Sequence, residues 1–168
     1  MTRKIGLGGG CHWCTEAVFQ SLKGVIKVDQ GYIFSNNKNS YFSEAVLVTY
    51  RPEEISLKTL IEIHLLTHES TPNHSFRNKY RSAVYFLDPD DETLVINILK
   101  DLQREVDHPL TTKVLRCGEF KASRGALQHY YFSDPRKPFC RRHVEPKIQL
   151  LLKRFRRSVA LQKFGLKE

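Results

Sequence analysis

Apolar positions change their spacing several times along this chain, and each change marks an element. Lys4 to Leu7 predicts a short strand that runs into Gly8-Gly9-Gly10. From Thr15, the spacing of Val18, Phe19 and Leu22 predicts a helix with one buried face, stopped at Gly24. Val25 to Phe34 is rich in β-branched and aromatic residues and predicts a second strand; Asn36 to Ser40 form a turn cluster, and Glu44 to Tyr50 alternate as a third strand. Ser56 is placed to cap a helix carrying Leu57, Leu60, Ile61, His64 and Leu65. A polar loop from His68 to Lys79 leads to a strand over Ser82 to Leu87. Asp90 and Asp91 open a helix that turns Leu94, Val95, Ile98 and Leu102 inward, and Thr111 to Leu115 read as one more strand. Beyond that point the pattern is loop-rich until Pro146 begins a last helix, where its missing N–H costs nothing. The order β-α-β-β-α-β predicts an α+β fold with a ferredoxin-like split β-α-β core and a mixed or antiparallel sheet. One domain is expected over 1–168, with its core at about 4–116 and a C-terminal loop and helix at about 117–168.

Length changes little in this picture, because 168 residues suffice for one proper core. The formal charge of +9 raises the question of nucleic acid. Part of it lies at Lys153, Arg154, Arg156 and Arg157, which interrupt Ile148, Leu151, Leu152, Phe155 and Val159 at helical spacing. That pattern predicts the solvated face of an amphipathic helix, and a basic patch alone does not establish nucleic-acid recognition. No apolar run approaches the ~20 residues that span a bilayer. The first residues reach glycine too early for a signal-peptide core, so a cytoplasmic protein is expected; a monomer is expected as well.

In that compartment four cysteines point to reactive or metal-binding roles more than to structural disulfides. Cys11 stands where a strand passes through glycines into a helix; unpaired N–H groups and the positive helix end favour thiolate over thiol there. Cys14 lies three residues on, on the same face of the first turn. The pair fits a redox or nucleophilic role. A zinc site with Cys140 and His143, or two unrelated cysteines, fits less well, since zinc needs about four ligands. Glu44 shares a strand face with Val46 and Val48, which makes it either an exposed strand end or a desolvated acid able to stay protonated. Tyr32 and Tyr80 read as core or interface aromatics, or as hydroxyl donors to a substrate oxygen. Glu16 reads as a favourable charge near the helix start.

Gly9-Gly10-Cys11-His12-Trp13-Cys14-Thr15-Glu16-Ala17-Val18-Phe19 resembles the signature of the peptide methionine sulfoxide reductase A family. The similarity continues through Gly31-Tyr32, Glu44-Ala45-Val46 and Tyr80-Arg81-Ser82-Ala83, and more weakly at Phe139-Cys140 and Pro146-Lys147. The resemblance implies reduction of methionine S-sulfoxide, free or in oxidised proteins. It implies Cys11 as nucleophile, Glu44 as acid, Tyr32 and Tyr80 holding the sulfoxide oxygen, and Trp13 with His12 around the substrate methyl group. It further implies a sulfenic acid resolved to a disulfide by Cys140 in preference to Cys14, or by a relay through both. Thioredoxin or a similar dithiol would recycle the enzyme, with no metal, cofactor, nucleic acid or membrane. This chain departs from the family pattern: His12 replaces a phenylalanine, Ile33 and Phe34 replace glycines, and Ser75 replaces an aspartate. Arg124 and Leu127 stand near where a glutamate and a histidine are usual. A general thiol–disulfide oxidoreductase using Cys11 and Cys14, and a binding module that kept the fold without turnover, are the competing expectations.

Overall fold

Strands β1 (Arg3–Gly8), β2 (Val25–Ser35), β3 (Phe42–Tyr50), β4 (Ala83–Phe86) and β5 (Lys113–Ala122) alternate with helices α1 (His12–Gln20), α2 (Leu57–Thr67) and α3 (Asp91–Gln103). The computed structural model describes residues 1–35, 41–68 and 81–168. The turn cluster at 36–40 lies outside the described residues, as do Ser75 and Tyr80. Strand β1 pairs antiparallel with both β3 and β4, and β3 pairs antiparallel with β2. The first four strands therefore run in the order 4-1-3-2, which is the split β-α-β arrangement expected from the sequence. Strand β5 then pairs antiparallel with β2 and parallel with β4, closing the sheet into a ring.

Strand alternation divides the core in two. Ile5 and Leu7 of β1 and Val46 and Val48 of β3 face the helices, in one large cluster with Ala17, Val18, Phe19, Leu60, Ile61 and Ile148. The opposite strand faces carry Ile33, Ala45, Ala83, Tyr85 and Leu115, a smaller cluster within the ring. A five-stranded ring leaves little interior space, and Gly6 and Gly8 provide it. A Cβ on either would press on Tyr85. Arg81 is buried there as well: Nε donates to Tyr85 Oη at 2.9 Å, and Nη2 donates to the Ile33 carbonyl at 3.2 Å. Such a buried guanidinium is tolerated because its donors meet oxygen acceptors.

Helix α2 begins as its cap predicts, Ser56 Oγ accepting the Thr59 N–H at 3.1 Å. In α3 one expected inward residue turns out. Val95, Ile98 and Leu102 are buried, whereas Leu94 is 48% exposed, since it lies at the edge of their i, i+3, i+7 stripe. Strand β5 runs seven residues beyond the expected Leu115, and its mixed polar surface hid the alternation. The loop-rich reading of the C-terminal region is also corrected. It holds a short helix α4 (Tyr130–Ser133) and a π-turn at Cys140–Val144 that feeds α5 (Glu145–Arg154). Helix α5 ends at Arg154, short of the expected Val159, which instead bridges to Leu22. Lys153, Arg154, Arg156 and Arg157 are all exposed. Among the described residues no helix is long and apolar enough to cross a membrane.

Candidate active site

Strand β1 delivers the chain to Gly9, whose φ of +147° lies where only glycine is at ease. A Cβ on Gly9 would also fall on the His68 ring. Two residues later Cys11 forms the N-cap of α1. Its thiol is held below the usual range, chiefly by a hydrogen bond from the Cys14 thiol and further by the N–H groups of Trp13 and Cys14. Burial and the nearby Glu44 carboxylate oppose that shift. The same S–H···S contact drives the Cys14 thiol up, helped by its burial. Cys11 is half-buried and Cys14 fully so. One thiolate, at Cys11, is the state this pair favours.

Strands β2 and β3 bring the acid. Tyr32 and Glu44 are directly opposed in the ladder, so both side chains emerge on the helix-facing side beneath the start of α1. Glu44 is only 5% exposed, so of its two sequence readings the exposed strand end does not apply. Its Oε1 lies 3.4 Å from the main-chain N of His12 and 3.1 Å from His12 Nε2. His12 is 3% exposed, and its other ring nitrogen, Nδ1, donates to the Gly31 carbonyl at 2.8 Å. Tyr32 meets the His12 ring edge-on, with centroids 5.2 Å apart.

Trp13 supplies an apolar wall, and the C-terminal region holds it. Its ring stacks on Tyr130 with centroids 4.3 Å apart and takes Phe139 edge-on at 5.3 Å. Lys137 Nζ sits over Tyr130 at 4.0 Å from the ring centre. Glu16 explains why this wall stands where it does. It is fully buried and lies past the first turn of α1, so the expected helix-end role does not apply. Glu16 Oε2 accepts the His129 N–H at 2.9 Å, while Oε1 accepts the Tyr130 N–H at 3.0 Å and Gln30 Nε2–H at 3.1 Å. Gln128 completes the tie by donating to the Gln30 carbonyl at 2.8 Å. The signal for this cluster is long-range, joining residues up to 114 apart, and no local pattern in the sequence could have found it.

Cys11, His12, Trp13, Cys14, Tyr32 and Glu44 thus meet around the start of α1, while Tyr80 lies outside the described residues. Cys140 enters from behind: it is fully buried at the start of the π-turn and shares the main core with Cys14. A small crevice lined by Cys11, Cys14, Thr67, His68 and Lys147 opens between the start of α1, the end of α2 and α5. Cys117 stands apart, half-buried in β5, and burial pushes its thiol up to about 11.

A family model described as peptide methionine sulfoxide reductase matches residues 3–159. Peptide methionine sulfoxide reductase MsrA of Campylobacter jejuni is 31% identical over 159 residues, covering 88% of this chain and 96% of that protein. Among solved structures, Mxr1 from Saccharomyces cerevisiae in its reduced form shares the fold with a TM-score of 0.69 at 19% identity, covering 84% of this chain and 91% of that one. The same yeast protein in complex with Trx2 gives a TM-score of 0.59 at 20% identity, covering 77% and 84%. The chain belongs to the peptide methionine sulfoxide reductase A family, and is an oxidoreductase that reduces methionine sulfoxide by cysteine chemistry.

Proposed function

We propose that Cys11 is the nucleophile toward the S epimer of methionine sulfoxide, free or in proteins, with Glu44 as its proton donor and a thioredoxin-like dithiol as the final reductant. The observation that carries this reading is the meeting, at one helix start, of a favoured Cys11 thiolate and a buried Glu44. The substrate methyl group packs on Trp13, and Cys11 thiolate attacks the sulfoxide sulfur. Tyr32 holds the oxygen while Glu44 protonates it, a hydrogen bond that strengthens as negative charge develops. Tyr80 joins Tyr32 in this reading through its place in the family motif alone. Oxygen passes from the methionine sulfur to the Cys11 sulfur as its bond to the former breaks, so methionine leaves as the thioether and Cys11 becomes a sulfenic acid.

Resolution then follows the order of the thiols in space. Cys14 already touches Cys11, so it attacks first, releasing water and forming a Cys11–Cys14 disulfide. Cys140 next takes over, leaving Cys14–Cys140 for the external dithiol and freeing Cys11. This places Cys140 second in a relay, whereas the sequence favoured it as direct resolver. Its site in a π-turn supports such a role, since these wide turns occur often at functional sites. The complex of yeast Mxr1 with Trx2 is consistent with a thioredoxin-like partner for the last step.

One equivalent of methionine S-sulfoxide added to the reduced chain should release methionine and consume two thiols. Peptide mapping after thiol blocking should find Cys14–Cys140, and in Cys140→Ser a Cys11–Cys14 bond. A Cys11–Cys140 bond in Cys14→Ser, formed as fast as the parent forms its disulfide, would remove the relay. Methionine release with Cys11 blocked beforehand would remove the whole reading.

A further inference from the structure

His12 does more in this site than line it. Its ring is fixed at both nitrogens, with Nδ1 2.8 Å from the Gly31 carbonyl and Nε2 3.1 Å from Glu44 Oε1. A carbonyl oxygen can only accept, so Nδ1 carries a hydrogen and Nε2 is the nitrogen that faces the acid. If the Nε2–Oε1 contact held no proton, two lone pairs would oppose each other in a site closed to water, His12 being 3% and Glu44 5% exposed. The contact therefore contains one proton, written either as carboxylic acid and imidazole or as carboxylate and imidazolium. The frame around it is rigid. Gly31 and Glu44 belong to adjacent paired strands, His12 is the first residue of α1, and its own N–H also points at Oε1 from 3.4 Å. Tyr32 closes the ring's edge from β2, and Cys11 lies next to it in the chain.

We propose that His12 is a positioning residue that holds, against Glu44 Oε1, the proton that passes to the sulfoxide oxygen. This rests on the reading of Glu44 as the proton donor. Cys11 thiolate donates an electron pair to the S–O unit, the bond from oxygen to methionine sulfur breaks, and a bond from oxygen to Cys11 sulfur forms. Cys11 sulfur is oxidised by two electrons and the substrate sulfur reduced by two. The proton held between His12 and Glu44 ends on that oxygen, and the pair, left as carboxylate and neutral imidazole, regains a proton from solvent once methionine has left. A mere wall of the methyl pocket would need neither ring nitrogen.

His12→Phe keeps a ring of similar shape and removes both nitrogens, and it also makes the wall more apolar. A wall role then predicts a lower KM with kcat kept or raised. The proton-holding role predicts the opposite split: kcat falls about tenfold or more, as part of the 10²–10⁴ that general acid catalysis contributes, while KM stays level or falls. Dithiothreitol-driven turnover of methionine S-sulfoxide by the full chain reads both constants, and iodoacetamide alkylation of Cys11 checks that the helix start is intact. Nitrogen NMR of the unaltered protein, labelled at histidine, supplies a test independent of whether the variant folds. The result expected is a protonated Nδ1 on His12 and an Nε2 signal that changes in Glu44→Gln. An unprotonated Nδ1, or His12→Phe with unchanged kcat while Glu44→Gln is crippled, overturns the proposal and leaves Glu44 as donor. Full kcat in Glu44→Gln would instead remove the reading on which it rests.

Discussion

Replacing Cys11 by serine is expected to abolish sulfoxide reduction, by on the order of 10⁶-fold, the size seen when an enzyme loses its nucleophile. The cause is local. Among the four cysteines only Cys11 combines the N-terminus of α1 with a donated Cys14 hydrogen bond. A serine hydroxyl there would remain protonated and would attack sulfur poorly. The fold should survive, since Cys11 is only partly buried and a serine hydroxyl can accept from the same Trp13 and Cys14 N–H groups. Direct kinetics with dithiothreitol, alongside a melting curve, measure both halves of this statement. The pH dependence of alkylation carries the same content. A lowered thiol pKa means thiolate at lower pH, so Cys11 should react first on the acidic side. Cys14, Cys117 and Cys140, all shifted upward, should lag. Fast acidic alkylation at any of those three, with Cys11 slow, would break the assignment.

Glu44→Gln carries the second large effect, a loss of about 10²–10⁴-fold in kcat as expected for removing a general acid. Glutamine fills the same volume beneath α1 and can still meet the His12 ring, but it has no proton to deliver. Cys11 alkylation at high pH should hardly change, which separates proton delivery from nucleophile activation. Glu16→Gln is the informative contrast. Glu16 accepts three hydrogen bonds and supports the wall at Tyr130, so its loss should lower the melting temperature and loosen substrate binding. Equal damage to kcat in a well-folded Glu16→Gln protein would show that the two carboxylates have been given the wrong roles.

What the sequence made legible follows from the range of the interactions involved. Helix and strand periods are local, and so the β-α-β-β-α-β order and the split arrangement of four strands could be read from them. Strand β5 was half missed because Arg116, Glu119 and Lys121 interleave with its partly buried residues, and its closing role depends on two partners far away in sequence. The stretch from Tyr130 to Val144 folds in pieces too short to show a period. Within the site, Cys11, Cys14, Trp13 and Glu44 were marked by motif and by strand face. The tie from Glu16 to His129 and Tyr130 was not, nor was the grip of Gly31 and Glu44 on His12. Both depend on main-chain groups that only the folded sheet and the C-terminal region bring near. His12 shows the cost: its place beside the methyl pocket follows from the motif, whereas the hold on both nitrogens of its buried ring does not.

The most direct measurement offers the protein both epimers of a methionine sulfoxide peptide, with thioredoxin and its reductase supplying electrons, and runs insulin reduction in parallel. The account predicts consumption of the S epimer alone, dependent on Cys11, with insulin left largely unreduced. Rapid insulin reduction with neither epimer consumed would contradict it and point to general thiol–disulfide exchange through Cys11 and Cys14.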